Sequence, residues 1–247
     1  MLTDQSRITL PERYKASYIY SIILMEKRIF FSTLSLFFFT TVSTQVPVRL
    51  EPRHKVALEN EFIRLLDVRI LPGDTSLFHI HQTPSFFIPL SNTAIGSQVK
   101  GQLPQESKFN AGATWYNGFE NGPLIHRVWD SDTIALHVID LELLSAKNTT
   151  LPATAQLTGF KIDFENEKLR VYKFGISSNQ TISLPVIATP MVFISVSGSD
   201  VQIQNQDKKD SKYYIKAGAF QWLEPNQNFS IDNKETDTAD VILILLK

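Results

Sequence analysis

Apolar and polar residues alternate along much of the chain beyond residue 45. Leu66, Val68 and Ile70 are interleaved with Asp67 and Arg69, the period of two that marks a strand with one buried face. Tyr172, Phe174 and Ile176 repeat that register 106 residues later. Denser apolar runs at 133–144 and 239–246 also read as strands, and Asn-Gly at 117–118 and 121–122 and Ser-Gly at 197–198 mark turns. No stretch of this region sustains a helical period beyond a turn or two. The pattern predicts an all-β protein.

The pattern is also written twice. Shifting the chain by 106 residues without gaps aligns Glu59-Asn60-Glu61 with Glu165-Asn166-Glu167, Arg64 with Arg170, Thr83-Pro84 with Thr189-Pro190 and Phe87-Ile88 with Phe193-Ile194. Over positions 59–91 this gives 11 identities in 33. A unit of about 100 residues is too long for a solenoid repeat and suits a small β domain. The expectation is an internal duplication: two β-barrels or sandwiches, one over residues 45–145 and one over 159–247, joined by a linker at 146–158.

The front of the chain has a different composition. From Met25, Lys27 and Arg28 precede an apolar run at 29–42 that ends in Val42-Ser43-Thr44, a secretory signal pattern. Residues 1–44 therefore read as an N-terminal extension plus signal peptide, with Met25 as the expected start. The run is too short and too rich in Ser and Thr for a stable membrane span after cleavage, although an uncleaved signal anchor is the competing reading. With no cysteine, disulfides play no part, and an exported chain of this kind suits a periplasm or the exterior. Lys and Arg number 24 against 25 Asp and Glu, so no basic excess argues for nucleic acid.

Candidate chemistry is concentrated in Gly73-Asp74-Thr75-Ser76-Leu77-Phe78-His79-Ile80-His81. Side chains at i and i+2 of a strand share a face, with α-carbons about 6.8 Å apart, so His79 and His81 can converge on one ion. His126 follows in a second strand-like stretch. Imidazoles suit Fe, Zn, Ni and Cu, and three of them leave open positions for a substrate. The competing reading is that these are partly buried histidines satisfied by hydrogen bonds. His137 reads as a packed or surface residue, and His54, in the charged run Glu51-Pro52-Arg53-His54-Lys55, as solvent-exposed. Glu120 is a candidate substitute carboxylate. Trp115, Tyr116, Phe119 and Trp129 could line a pocket mouth or pack the core, and Arg127 could face an anionic ligand or point outward.

Gly73-x5-His79-x-His81 resembles the first motif of the cupins, β-barrels of jelly-roll type, and Gly122-Pro123-Leu124-Ile125-His126 resembles a variant of their second motif. The resemblance covers residues 50–247 as a bicupin. It implies one divalent transition metal (Fe, Zn, Mn, Ni or Cu) held by His79, His81 and His126 in the first barrel, and a small-molecule ligand or substrate. The glutamate that the family places after the second histidine is absent, since Ser85 and Phe86 stand there, and Asp130 replaces a frequent asparagine. Some cupin dioxygenases hold ferrous iron with three histidines, so the loss does not abolish the site. By the 106-residue shift, His79, His81 and His126 fall on Pro185, Ile187 and Asp232, so the second barrel is degenerate, without a metal site. The functional expectation is an exported metalloprotein with oxygenase or isomerase chemistry. The alternative is a non-catalytic small-ligand-binding or protein-interaction bicupin. It would be a monomer with an intramolecular barrel pair, or a homodimer.

Overall fold

The computed structural model describes residues 45–144, 157, 159–208 and 211–247. The expected signal segment and the start at Met25 lie outside these residues, as does all of the linker read at 146–158 except Leu157. Helix among the described residues is limited to one 3-10 turn at Val48–Leu50, so no helix there is long and apolar enough to cross a membrane.

The first half supplies ten strands: β1 (Val46–Pro47), β2 (His54–Glu59), β3 (Ile63–Ile70), β4 (His79–His81), β5 (Ser85–Pro89), β6 (Thr93–Val99), β7 (Gln105–Phe109), β8 (Trp115–Asn117), β9 (Leu124–Asp130) and β10 (Leu136–Leu143). The second half supplies nine: β11 (Ile162–Glu165), β12 (Leu169–Ile176), β13 (Thr181–Leu184), β14 (Met191–Gly198), β15 (Val201–Asn205), β16 (Lys212–Ile215), β17 (Phe220–Leu223), β18 (Phe229–Asp232) and β19 (Ala239–Leu246). Strand order runs β1-β4-β9-β6-β7 and β2-β3-β10-β5-β8 in the first half, and β13-β18-β15-β16 and β11-β12-β19-β14-β17 in the second. Apart from β1, the two halves thus share one topology. In each half two sheets face one another without joining into a closed barrel.

Period-two patterning sorts the side chains into three cores. On β3, Ile63 and Leu65 point one way, while Leu66, Val68 and Ile70 point the other. The second set packs between the two sheets of the first half with Leu136 and Val138 of β10 and Ile95 of β6. The first set, with Phe86, Ile88, Ile139 and Leu141, meets Leu169, Val171, Val192, Ile194, Ile242 and Ile244 from the second half. A third core, including Tyr172, Phe193, Leu243 and Ile231, fills the second half. The result is four stacked sheets, the middle two buried on both faces. All eight residues of β10, His137, Asp140 and Glu142 among them, and seven of eight in β19 are buried, as in strands covered on both sides.

Candidate metal centre

Strand β4 lies between β1 and β9, and its register on β9 places His79 directly opposite His126. Two turns aim the strands. Gly73, with φ +76°, sits in the turn closed by the Asp74 amide on the Leu71 carbonyl (2.9 Å), and Gly122, with φ +107°, sits in the turn before β9, its amide on the Phe119 carbonyl (3.0 Å). Both conformations favour glycine because it lacks Cβ. His79 and His81 are buried on one face of β4, with ring centroids 4.9 Å apart. The His126 ring lies 4.6 Å from His79 and 5.0 Å from His81. The structure therefore brings His79, His81 and His126 together.

A fourth imidazole joins them. His54, expected at the surface, is 6% exposed, with its ring 4.5 Å from that of His79. One ligand nitrogen each from His54, His79 and His81 lies within 4.8 Å of the others. The correction has a specific cause. Glu51 is buried and accepts hydrogen bonds from His54 Nδ1 (2.7 Å), the Arg53 amide (2.6 Å) and the Leu77 amide (3.1 Å). Arg53 turns toward Asp74 instead (2.7 Å). The charged run is split, with Glu51 and His54 inside. One sequence signal pointed there: the 106-residue shift carries His54 onto the apolar Phe160.

Burial decides the protonation of this cluster. His79 Nδ1 donates to the Leu77 carbonyl (2.8 Å), which leaves Nε2 as a bare lone pair, buried and without a hydrogen-bond partner. His126 Nε2 and His81 Nδ1 are likewise buried and unpartnered. Desolvation, reinforced by His54 and His126, lowers the pKa of His79 to about 3; desolvation, then His54, lowers that of His126 to about 4. Burial, then His126 and His79, holds His81 well below the usual imidazole range. At neutral pH these three rings are uncharged bases. Buried polar atoms normally find partners, and several unpartnered neutral imidazole nitrogens facing one another are the donor set of a transition-metal ion. Hydrogen bonds at the remote nitrogens of His54 and His79, to Glu51 and to the Leu77 carbonyl, fix the ring orientations, as such partners do for metal-bound imidazoles. The residues fit a metal.

The cluster forms one end of a cavity of about 120 Å³. His54, His81, His126 and Asp140 supply its polar end, and Phe87, Phe109, Trp115 and Leu124 its apolar wall. Phe87 stacks on Trp115 (5.1 Å), and Phe119 stacks on His81 (5.8 Å). Asp140 is the second residue that sequence reasoning missed. Its carboxylate is 3.5 Å from His81 Nδ1, and burial, with Glu142 next, pushes its carboxyl well above the usual carboxylate range. It stands between Ile139 and Leu141, two residues before the ion-paired Glu142, and nothing in its spacing marks it.

The remaining candidates are elsewhere. His137 bonds to Asp67 (2.8 Å). Arg127 lies against the rings of Phe78 and Trp129 and donates to Gln98 (3.0 Å). Tyr116 packs toward Phe164 of the second half. Glu120 lies over Gly118, and the carboxylates beside the histidines belong to Glu51 and Asp140 instead. Asp130 caps the turn into β10, accepting from the amides of Asp132 and Leu136 (2.8 and 2.7 Å).

The second half is filled where the first is polar. Its ladder sets Leu184 opposite Phe229. Phe229 stands four residues before Asn233, which accepts from the Glu235 amide (3.0 Å) as Asp130, four residues after His126, accepts from Asp132. The strand pairing therefore gives His126 the counterpart Phe229, in place of the Asp232 that an ungapped shift assigns. Leu184, Ile187 and Phe229 are buried in one core, with Phe160 packed against it.

No protein-family profile matches this chain, and no curated protein sequence matches it. Solved structures do. AerE from Microcystis aeruginosa matches with a TM-score of 0.52 at 13% identity, over 80% of this chain and 98% of its own. A salicylate 1,2-dioxygenase from Pseudaminobacter salicylatoxidans matches at 0.50 and 9% identity, over 81% and 77%. An oxalate decarboxylase from Lactobacillus farciminis matches at 0.50 and 9%, over 75% and 77%. These neighbours are cupin-domain proteins, bicupins among them. The chain described here has the cupin fold, in the two-domain form.

Proposed function

We propose that the first half binds one divalent transition-metal ion through His79, His81 and His126, with His54 as a further donor, and acts on a small molecule as an oxygenase or isomerase. The observation that carries this reading is the convergence of three buried imidazoles, His54, His79 and His81, with the half-buried His126, three of the four having buried, unpartnered nitrogens, beside a small cavity. An ion bound there would supply Lewis acidity or a redox centre. The protein's own residues do the rest. Glu51 and the Leu77 carbonyl orient two rings, and Phe87, Phe109 and Trp115 give the cavity an apolar lining. Its volume of about 120 Å³ is on the scale of the roughly 150 Å³ hydrocarbon-lined space that accommodates benzene. The salicylate dioxygenase and oxalate decarboxylase among the structural neighbours support a small-molecule enzyme. The Lys27-Arg28 front and its apolar run support export to a periplasm or the exterior, and the shared strand order supports an origin by duplication.

A ligand-binding protein without catalysis is the second reading, favoured by the largely apolar wall of the cavity. Elemental analysis of the untagged protein tests the first. Wild type is expected to hold about one transition metal per chain. His79→Ala, His81→Ala and His126→Ala should each lose most of it, and His137→Ala should keep it. A wild type that takes up no such metal overturns the reading, and metal-free protein that still binds a small molecule establishes the second.

A further inference from the structure

Four acidic residues of the described structure are buried: Glu51, Asp130, Asp140 and Glu142. Three are partnered. Glu51 holds His54 and two backbone amides, Asp130 caps a turn through two amides, and Glu142 receives Arg64 (2.7 Å). Asp140 is different. It is 1% exposed, and neither carboxylate oxygen holds a well-formed hydrogen bond, although the Ser85 hydroxyl stands close enough to draw its pKa down. The neighbouring Ser85 hydroxyl donates to the Thr83 carbonyl (2.9 Å). His81 Nδ1, at 3.5 Å, is too far for a hydrogen bond. A buried carboxylate left in this state works against folding.

The fold does not require an acid at this place. On β10, Asp140 is flanked in the sheet by Leu66 of β3 and Phe87 of β5. On β19 the corresponding residue, flanked by Tyr172 of β12 and Phe193 of β14, is Leu243, fully buried in the core. Leucine therefore fits this register of the same topology. Asp140 shares its strand face with Leu136 and Val138, and all three line the cavity beside His54, His81 and His126. A buried acid without a well-formed hydrogen bond that lines the cavity beside unpartnered imidazole nitrogens has the character of a functional residue.

We propose that Asp140 is the acidic member of the metal site, its carboxylate facing the same ion as the histidine cluster. The proposal rests on the metal-binding reading above. It makes the site a mixed nitrogen and oxygen donor set assembled from both sheets of the first half, with its acid taken from the last strand.

Cobalt(II) and zinc(II) binding to the full chain tests it, with affinity measured by chelator competition and the donor set read from the visible spectrum of the cobalt form. The variants are Asp140→Asn, which preserves shape, and Asp140→Leu, the residue of the second half. Both are expected to bind cobalt and zinc about tenfold or more weakly, the scale seen when metal-site partners are removed, and to show an altered cobalt spectrum. In chelator, both should unfold at or above the wild-type temperature, an outcome that a structural role for the carboxylate would reverse. Cobalt affinity and spectrum unchanged in Asp140→Asn, with binding still lost in His79→Ala, overturn the proposal and leave the metal reading standing. A wild type that binds neither ion overturns both.

Discussion

His79, His81 and His126 are bases whose protons burial has removed, and this has a measurable consequence at the scale of single residues. In the unfolded chain an imidazole protonates near pH 6.5; in the fold His79 does so only at about 3 and His126 at about 4. Between those values the unfolded state binds more protons, so the metal-free protein gains stability as pH rises. That contribution is complete above about pH 7 and is lost as pH falls below 6.5, at about 1.4 kcal/mol per pH unit per histidine. Chemical denaturation of chelator-treated protein should show a loss of stability from pH 7 to pH 5. His79→Leu, which imitates Leu184, should flatten the slope by about one proton, and an identical slope in that variant would contradict the depressed pKa. The closeness of His79 and His81 was legible because a strand repeats every two residues. His54 was not, because a charged run reads as solvated until Glu51 is seen buried and hydrogen-bonded. Asp140 was hidden for another reason, as one of two acids alternating with apolar residues over 139–143, which reads as an ordinary strand with one polar face.

Strands were legible where one face is wet. The alternation of β3 and β12 reflects a sheet face against a core, and the absence of helical period agrees with the single 3-10 turn among the described residues. Periodicity says less about β10 and β19, whose place at the centre of the stack shows only in the structure. The pairing of β6 with β9 carries a sharper prediction. Gly96 lies opposite Trp129, and a Cβ at residue 96 would fall 1.9 Å from the indole ring. Gly96→Ala must therefore displace Trp129, at a cost of about 1–3 kcal/mol. Its unfolding midpoint should drop and its tryptophan emission should shift; wild-type values for both would show that the ring is not packed there.

At the scale of the whole molecule, the core shared by β3, β5, β10 and β12, β14, β19 makes the two halves one stability unit. Leu141, fully buried in it, should cost about 2–5 kcal/mol when truncated to alanine. The loss should appear equally to a probe in the first half, Trp115, and to one in the second, Trp222; a transition moved at only one of them would mean that the halves unfold independently. Two similar halves were visible in the 106-residue register, but which faces meet was not, because a repeat defines a unit without saying how its copies dock. Their docking on one chain has a further effect. A pair of separate subunits holds together only above a certain concentration, whereas here the tether keeps each half at a high effective concentration for the other. The face that a lone domain would offer to a second molecule is already taken. Extreme dilution, which strips partners from ordinary dimers, would leave this pair and the cavity beside it assembled.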